Sequence, residues 1–145
     1  MLIRKRNDED NLELTDLWER TVRATHSFLG EDDIVYYRPR VLRDYLPAVE
    51  VWVAEDDAGV IAGFVGISGD KVEMLFVDPD KHGRGIGRRL LKRVEEGREI
   101  LRIDVNEQNE AAHAFYRQYG FVEVGRSDCD STGRPFPLIH MEKVV

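Results

Sequence analysis

Apolar and polar positions divide the chain into alternating and helically spaced segments. Leu2–Arg6 can start as a short strand. Asn7–Asp10 offers capping side chains and negative charge before a helix, where Leu14, Leu17, Trp18, Thr21, Val22 and Thr25 recur at helical spacing. That pattern breaks over Ala24–Gly30, with Gly30 the expected stop. Glu31–Leu46 reads as a second helix or helical pair, which Pro39 is expected to interrupt or restart and Pro47 to end. The period then changes to two. Val51–Glu55, a turn at Asp56–Gly59, Val60–Ser68, a turn at Gly69–Asp70, and Val72–Val77 predict an antiparallel meander. Gly63 and Gly66 mark a bulge or a close backbone approach in its middle strand.

From there strands and helices alternate. Asp78–Asp80 is a turn, because Pro79 cannot continue a central strand. Ile86, Leu90, Leu91 and Val94 predict a helix from Gly85 to about Arg98. Ile100–Val105 is a strand and Asn106–Asn109 a capping loop. Glu110–Tyr119 is a helix with Ala112, Phe115, Tyr116 and Tyr119 on one face, capped by Gly120. Phe121–Gly125 is a strand, Ser127–Pro135 a polar loop, and Phe136–Lys143 a last strand. Strand–helix–strand around residue 85 makes the strands at Val72 and Ile100 parallel neighbours. The fold class is therefore α+β with a mixed, largely antiparallel sheet.

Composition narrows the function classes. The 145 residues suit one domain, residues 1–145. Hydrophobic content of 42% with 34% charged residues describes a soluble globular chain. No apolar run approaches the roughly 18 residues that span a membrane, and the N-terminus lacks the apolar stretch of a signal peptide. Cys129 is the single cysteine, which excludes an internal disulfide and suits a cytoplasmic location. A net charge of −7 argues against nucleic-acid binding and is compatible with a cationic amine. His82, His113 and His140 make no metal-ligand spacing with one another or with Cys129, so no metal is expected.

The stretch with the most chemistry is His82-Gly83-Arg84-Gly85-Ile86-Gly87, between a strand and a helix. The first N–H groups of a helix lack partners and the helix dipole makes that end positive. Glycines let backbone approach a ligand, so this loop suits a phosphate or pyrophosphate, with Lys81, Arg84, Arg88 and Arg89 adding positive charge. It satisfies neither the G-x-G-x-x-G dinucleotide fingerprint nor the P-loop pattern. It resembles motif A of the GNAT superfamily of N-acetyltransferases, [Q/R]-x-x-G-x-[G/A], departing only in His82 where the family has Arg or Gln. Asn109 to Phe121, with Ala112, Phe115, Tyr116 and Gly120 in register, is similar to the family's N-x-x-A-x-x-F-Y-x-x-x-G-F segment. Ala24–Leu29, Asn106–Asn109 and Gly133–Leu138 further resemble the small bacterial YjaB-type acetyltransferases.

The resemblance implies a GNAT fold with the parallel pair splayed for coenzyme A. It implies acetyl transfer from acetyl-CoA, the cosubstrate, to a primary amine by direct attack in a ternary complex. That amine is a protein lysine, an N-terminus or a small amine. Leu75, Phe76 and Val77 then lie along pantetheine, with the N–H of Leu75 or Phe76 as oxyanion donor. His82, Gly83, Arg84, Gly85, Ile86, Gly87 and Arg88 take the pyrophosphate, and Asn109 contacts the cofactor. Tyr116 holds the general-acid position, although by spacing alone it is a core aromatic beside Phe115. Glu73 is the candidate base, its pKa raised if it is buried. His26, able to take a proton at neutral pH, is the alternative. Trp18, His26, Phe28, Tyr36, Tyr37, Asp128 and Asp130 would wall the acceptor side. The protein would be a monomer or a homodimer. Competing readings are a non-catalytic acyl-CoA-binding sensor, which needs no acid or base, and a nucleotide-binding enzyme on a doubly wound sheet, which the early meander disfavours.

Overall fold

The computed structural model describes residues Met1–Val145. One seven-stranded sheet runs in the order β1-β2-β3-β4-β5-β7-β6. Its strands are β1 (Leu2–Lys5), β2 (Glu50–Glu55), β3 (Ile61–Ser68), β4 (Lys71–Val77), β5 (Ile100–Asn106), β6 (Val122–Ser127) and β7 (Leu138–Val144). Every pairing is antiparallel except β4 with β5. The helices are α1 (Asn11–Thr25), α2 (Glu31–Arg40), α3 (Leu46–Ala48), α4 (Ile86–Glu95) and α5 (Glu110–Tyr119).

Several expectations about breaks change. Gly30 starts a helix instead of stopping one: it is the extended N-cap of α2, and its N–H donates to the Asp33 carboxylate at 2.9 Å. Pro39 lies inside α2 without ending it. The chain widens into a π turn at Val41–Tyr45 and carries on as α3, with Pro47 in its first turn. A proline near the start of a helical turn removes only an N–H that has no partner there. The α4 helix ends at Glu95, earlier than the sequence suggests, because Gly97 adopts φ 77°. The last strand begins at Leu138, two residues after Phe136.

The sheet has an apolar core on each side. One joins Ile86, Leu90, Leu91 and Val94 of α4 and Tyr116 and Tyr119 of α5 to the inner strands. The other joins Leu14, Leu17, Trp18 and Val22 of α1 and Ile34 of α2 to Val53, Phe64 and Met74. Trp18, expected on the acceptor wall, is a core residue with 5% of its surface exposed. The β3 strand is buried on both faces. Gly63 is required there, because a Cβ would stand 2.9 Å from the Phe76 carbonyl oxygen.

Two irregularities of β4 shape the site. Gly66 pairs with Met74 but Ile67 pairs with Val72, so Glu73 is the extra residue of a bulge. The bulge switches the faces of the strand: Val72 joins the α4 core and Met74 the α1 core. Beyond the bulge β4 leaves β5. The two strands pair only at Lys71↔Arg102 and Val72↔Ile103 and then part. We expect Gly63→Ala to destabilise the fold by about 1–3 kcal/mol, since the added methyl meets backbone that cannot step aside. Urea unfolding monitored by circular dichroism checks this.

Candidate active site

The glycine loop follows from the end of β4. The Asp78 N–H donates to the Ala62 carbonyl at 2.8 Å, closing the ladder with β3. The Asp78 carboxylate accepts the Asp80 N–H at 3.0 Å and an Arg20 N–H at 3.0 Å, which fixes the turn Pro79–Lys81. Gly83 and Gly85 then take φ 79° and 77°, conformations that other residues rarely adopt. Gly85 caps α4, and the first helical bond runs from the Arg89 N–H to the Gly85 carbonyl at 3.1 Å. The N–H groups of Ile86, Gly87 and Arg88 therefore lack helical partners. At Gly87 a Cβ would stand 3.1 Å from the Phe115 ring, so this glycine lets α4 and α5 close together. His82, the departure from motif A, turns its Nε2 onto the Val77 carbonyl at 2.9 Å and fastens the loop to β4.

A cleft of about 450 Å³ opens between this loop, the parting of β4 from β5, α1 and α5. Its walls include Leu75, Phe76, Val77, His82, Gly83, Gly85, Ile86, Gly87, Arg88, Asn109, Tyr116 and His26, as the sequence suggests. Two expected residues are elsewhere. Arg84 is exposed between the two left-handed glycines and does not line the cleft. Glu73 is exposed on the bulge and does not line it either, so the condition for a burial-raised pKa is not met. Thr21, Thr25, Lys81, Ala111, Ala112 and Phe115 complete the walls. Thr21 and Thr25 were legible only as members of the apolar face of α1. Nothing in their spacing marked a cleft.

Ladder parity separates the two oxyanion candidates. Ala62 and Asp78 form a bonded pair, and so, at the same register, do Phe64 with Phe76 and Gly66 with Met74. The Phe76 N–H therefore belongs to β3. The N–H groups of Leu75 and Val77 point the other way, toward the parted side. The Val77 carbonyl is already taken by His82, and Thr21 Oγ1 stands 3.4 Å from it while giving its hydrogen to the Leu17 carbonyl at 2.8 Å.

Tyr116 is 6% exposed, and burial alone pushes its hydroxyl above the ordinary tyrosine pKa. It packs edge-on against Phe115 and Phe121, so both the core reading and the cleft reading hold. Asn109 caps α5, its Oδ1 accepting the Ala112 N–H at 3.2 Å. His26 closes the other side: Nδ1 lies 2.8 Å from Thr25 Oγ1 and Nε2 3.4 Å from Asn109 Nδ2. Burial pushes its pKa from 6.5 down to about 4. The imidazole is therefore neutral at pH 7 and a weaker base than an exposed histidine.

The expected acceptor wall holds a cation of its own. An Arg134 N–H donates to Asp33 at 2.8 Å, and its guanidinium sits 4.1 Å from the Tyr36 ring centre and 5.7 Å from that of Tyr37. Arg134 beside Asp33 holds that carboxyl below its ordinary range. The Tyr37 hydroxyl donates to Asp130, while Asp128 is exposed and paired with Arg126. Phe28 packs on His26 at 5.3 Å and on Phe136 at 5.7 Å between ring centres, tying the 128–137 loop to the end of α1.

The His26 environment sets a pH dependence. An unfolded chain protonates this imidazole near 6.5 and the folded one near 4, so the unfolded state binds more protons in between. Stability contributed here is complete above pH 6.5 and is lost as pH falls toward 4, by roughly 3 kcal/mol. We expect thermal melts of wild type to fall more steeply than those of His26→Gln across this window.

Known proteins share this architecture. The Acetyltransferase (GNAT) domain family matches residues 47–123. The chain is 39% identical to the peptidyl-lysine N-acetyltransferase YjaB of Escherichia coli, with 98% of this chain and 96% of that one covered. The solution structure of apo YjaB from Escherichia coli superposes with a TM-score of 0.90 at 38% identity, covering 99% and 97% of the two chains. The fold is shared with yncA of Salmonella typhimurium, solved with its cofactor acetyl-CoA, at a TM-score of 0.67 and 23% identity over 99% and 93% of the chains. The unpaired start of α4, the parted strands and the tyrosine that lines the same cleft thus occur in a chain that belongs to the GNAT family of N-acetyltransferases.

Proposed function

We propose that residues 1–145 act as one domain that transfers the acetyl group of acetyl-CoA to the side-chain amine of a lysine in a protein. One observation carries this reading. The unpaired N–H groups at the start of α4, the unpaired edge of β4 and the buried Tyr116 hydroxyl all face one cleft. Relatives of almost equal length, named peptidyl-lysine N-acetyltransferases, support the lysine acceptor. A reaction that draws on acetyl-CoA, in a chain with one cysteine, suits the cytoplasm.

The residues present fit the cosubstrate. Gly83, Gly85 and the N–H groups of Ile86, Gly87 and Arg88 suit a pyrophosphate, with Arg88 and Lys81 at the rim. The edge at Leu75 and Val77 suits the amides of pantetheine, and Asn109 adds a side-chain amide. Bound there, acetyl-CoA supplies an acyl thioester. The Leu75 N–H is the donor we assign to the developing oxyanion. Tyr116 keeps its proton at working pH and can give it to the leaving thiolate. A lysine ammonium, with a pKa of about 10.4, must first lose a proton. His26 is too weak a base for this, so we assign that step to water and the exposed Glu73 carboxylate, beside the point where β4 leaves β5.

The test is mass spectrometry of acetyl groups passed from labelled acetyl-CoA to lysine peptides and to small amines. Wild type is expected to label lysine side chains. Tyr116→Phe is expected to lose at least about 10²-fold in turnover while binding acetyl-CoA as wild type does. Equal turnover in the two proteins would refute the acid role, and labelling of small amines alone would refute the protein acceptor.

A further inference from the structure

The core under α1 and α2 covers only part of the sheet. Its strand residues come from β2, β3 and β4, so the same face of β5, β7 and β6 lies outside it. Asp104 stands between Ile103 and Val105, and His140 between Ile139 and Met141. All four neighbours belong to the core under α4 and α5, so alternation puts Asp104 and His140 on the uncovered face. Strand register sets Asp104, His140 and Gly125 side by side. A Cβ at Gly125 would stand 3.4 Å from His140 Cδ2, so the ring lies over this glycine and reaches Ser127, two residues farther along β6. The polar groups form a line. His140 Nδ1 is 2.5 Å from Asp104 Oδ1, and His140 Nε2 is 2.6 Å from Ser127 Oγ.

Counting hydrogens fixes the direction of that line. A carboxylate has no hydrogen to give, so Nδ1 carries the ring proton. In the neutral ring Nε2 is then an acceptor, and its one lone pair takes the Ser127 hydroxyl hydrogen. The opposite tautomer would press a bare Nδ1 against the carboxylate. The Ser127 hydroxyl makes no other hydrogen bond within the protein, so its own lone pairs are free. Asp104 is held from its other side by Lys71 Nζ, 2.8 Å from Oδ2. Burial raises the Asp104 pKa, but the hydrogen bonds from Lys71 and His140 outweigh it and the net shift is downward. His140 is 34% exposed and Ser127 is half-buried on an edge strand, so a solute can reach both. A cavity of about 290 Å³ adjoins the His140–Asp104 pair, between Lys71, Arg102, Val124 and Glu142. None of Lys71, Asp104, Ser127 and His140 walls the cleft assigned to acetyl-CoA.

We propose that Ser127 and His140 are the catalytic residues of a second site, positioned by Asp104, that hydrolyses small activated carboxylic esters. A serine nucleophile needs an adjacent base, and the base needs a third group that fixes its tautomer. Ser127 Oγ attacks the ester carbonyl carbon while its proton passes to His140 Nε2, and Asp104 balances the imidazolium. The bond from carbonyl carbon to the alcohol oxygen then breaks, and His140 gives its proton to the departing alcohol. Water attacks the acyl-serine through the same base, releasing the carboxylic acid and restoring Ser127. The β6 strand bonds only to β7, so its outward N–H groups are the backbone donors at hand for an oxyanion. Donors so open to water limit the reaction to esters with a good leaving group, such as phenolic ones.

A fluorophosphonate, which loses fluoride to an activated serine, tests the nucleophile on the full chain, with the labelled peptide mapped by mass spectrometry. Ser127 is expected to be the labelled residue in wild type. His140→Gln and Asp104→Asn, run together so that a folding defect in one does not end the test, should slow labelling at least about 10²-fold. Hydrolysis of p-nitrophenyl acetate should fall in parallel and reach background in Ser127→Ala. Long-range proton–nitrogen NMR of histidine-labelled protein should show the His140 proton on Nδ1 in wild type and on Nε2 in Asp104→Asn. Saturating acetyl-CoA should leave the labelling rate unchanged. Label absent from Ser127, or equally fast in His140→Gln, overturns the nucleophile. A wild-type His140 protonated on Nε2 overturns the role of Asp104. Ester hydrolysis no faster in wild type than in Ser127→Ala overturns the activity, and protection by acetyl-CoA overturns the separate site.

Discussion

The structure depends on where β4 stops pairing with β5. Buried backbone N–H and C=O groups need partners, and a sheet that opens in its middle leaves some without any. Here the opening follows two paired positions and sits directly after the bulge at Glu73. The bulge moves Met74 to the α1 side while Val72 stays on the α4 side, so the strand changes cores as it leaves its neighbour. Everything around the cleft answers the backbone this exposes. His82 takes the Val77 carbonyl, and the N–H groups of Leu75 and Val77 face the parted side.

The rest of the architecture holds that opening in shape. Gly63 lets β3 lie close behind Phe76, where an added methyl would meet backbone, and Gly87 lets α4 close against the Phe115 ring, so the cleft is backed on both flanks by close contacts. The α1 helix spans the front, from Thr21 on β4 to His26 on α5. The 128–137 loop is tied to it through Phe136 and Phe28 and to α2 through Arg134 and Asp33. These ties are of different kinds, apolar and ionic, so a change of salt weakens one set while leaving the other.

How much of this the sequence carried depended on the kind of constraint. Gly83 and Gly85 were legible because a left-handed backbone before a helix is a local requirement. The strand order around them followed from alternation, and Asn109 and Tyr116 from the spacing of one helix. Gly30 and Pro47 misled because each residue type suits a start as well as a stop, and only the neighbours decide. The orientation of Glu73 stayed open because a bulge changes which way a side chain faces without changing composition. Arg134 was invisible as the partner of Tyr36 and Asp33 because that contact joins residues about a hundred positions apart.

The charges that result are sorted by depth. Lys81, Arg88 and the start of α4 put positive potential at one end of the cleft, where an anionic group would bind. Farther in, the two groups able to carry a proton are both held neutral by burial: Tyr116 keeps its proton and His26 stays without one. A neutral interior favours a neutral amine over its ammonium, because burying an unpaired cation carries a large desolvation penalty. The acceptor must therefore lose its proton before or as it enters. Tyr36, Tyr37, Asp33 and Asp130 would otherwise offer a cation a resting place, but Arg134 already fills it. The acid wall that the sequence suggested for gripping a cation works instead as a strut.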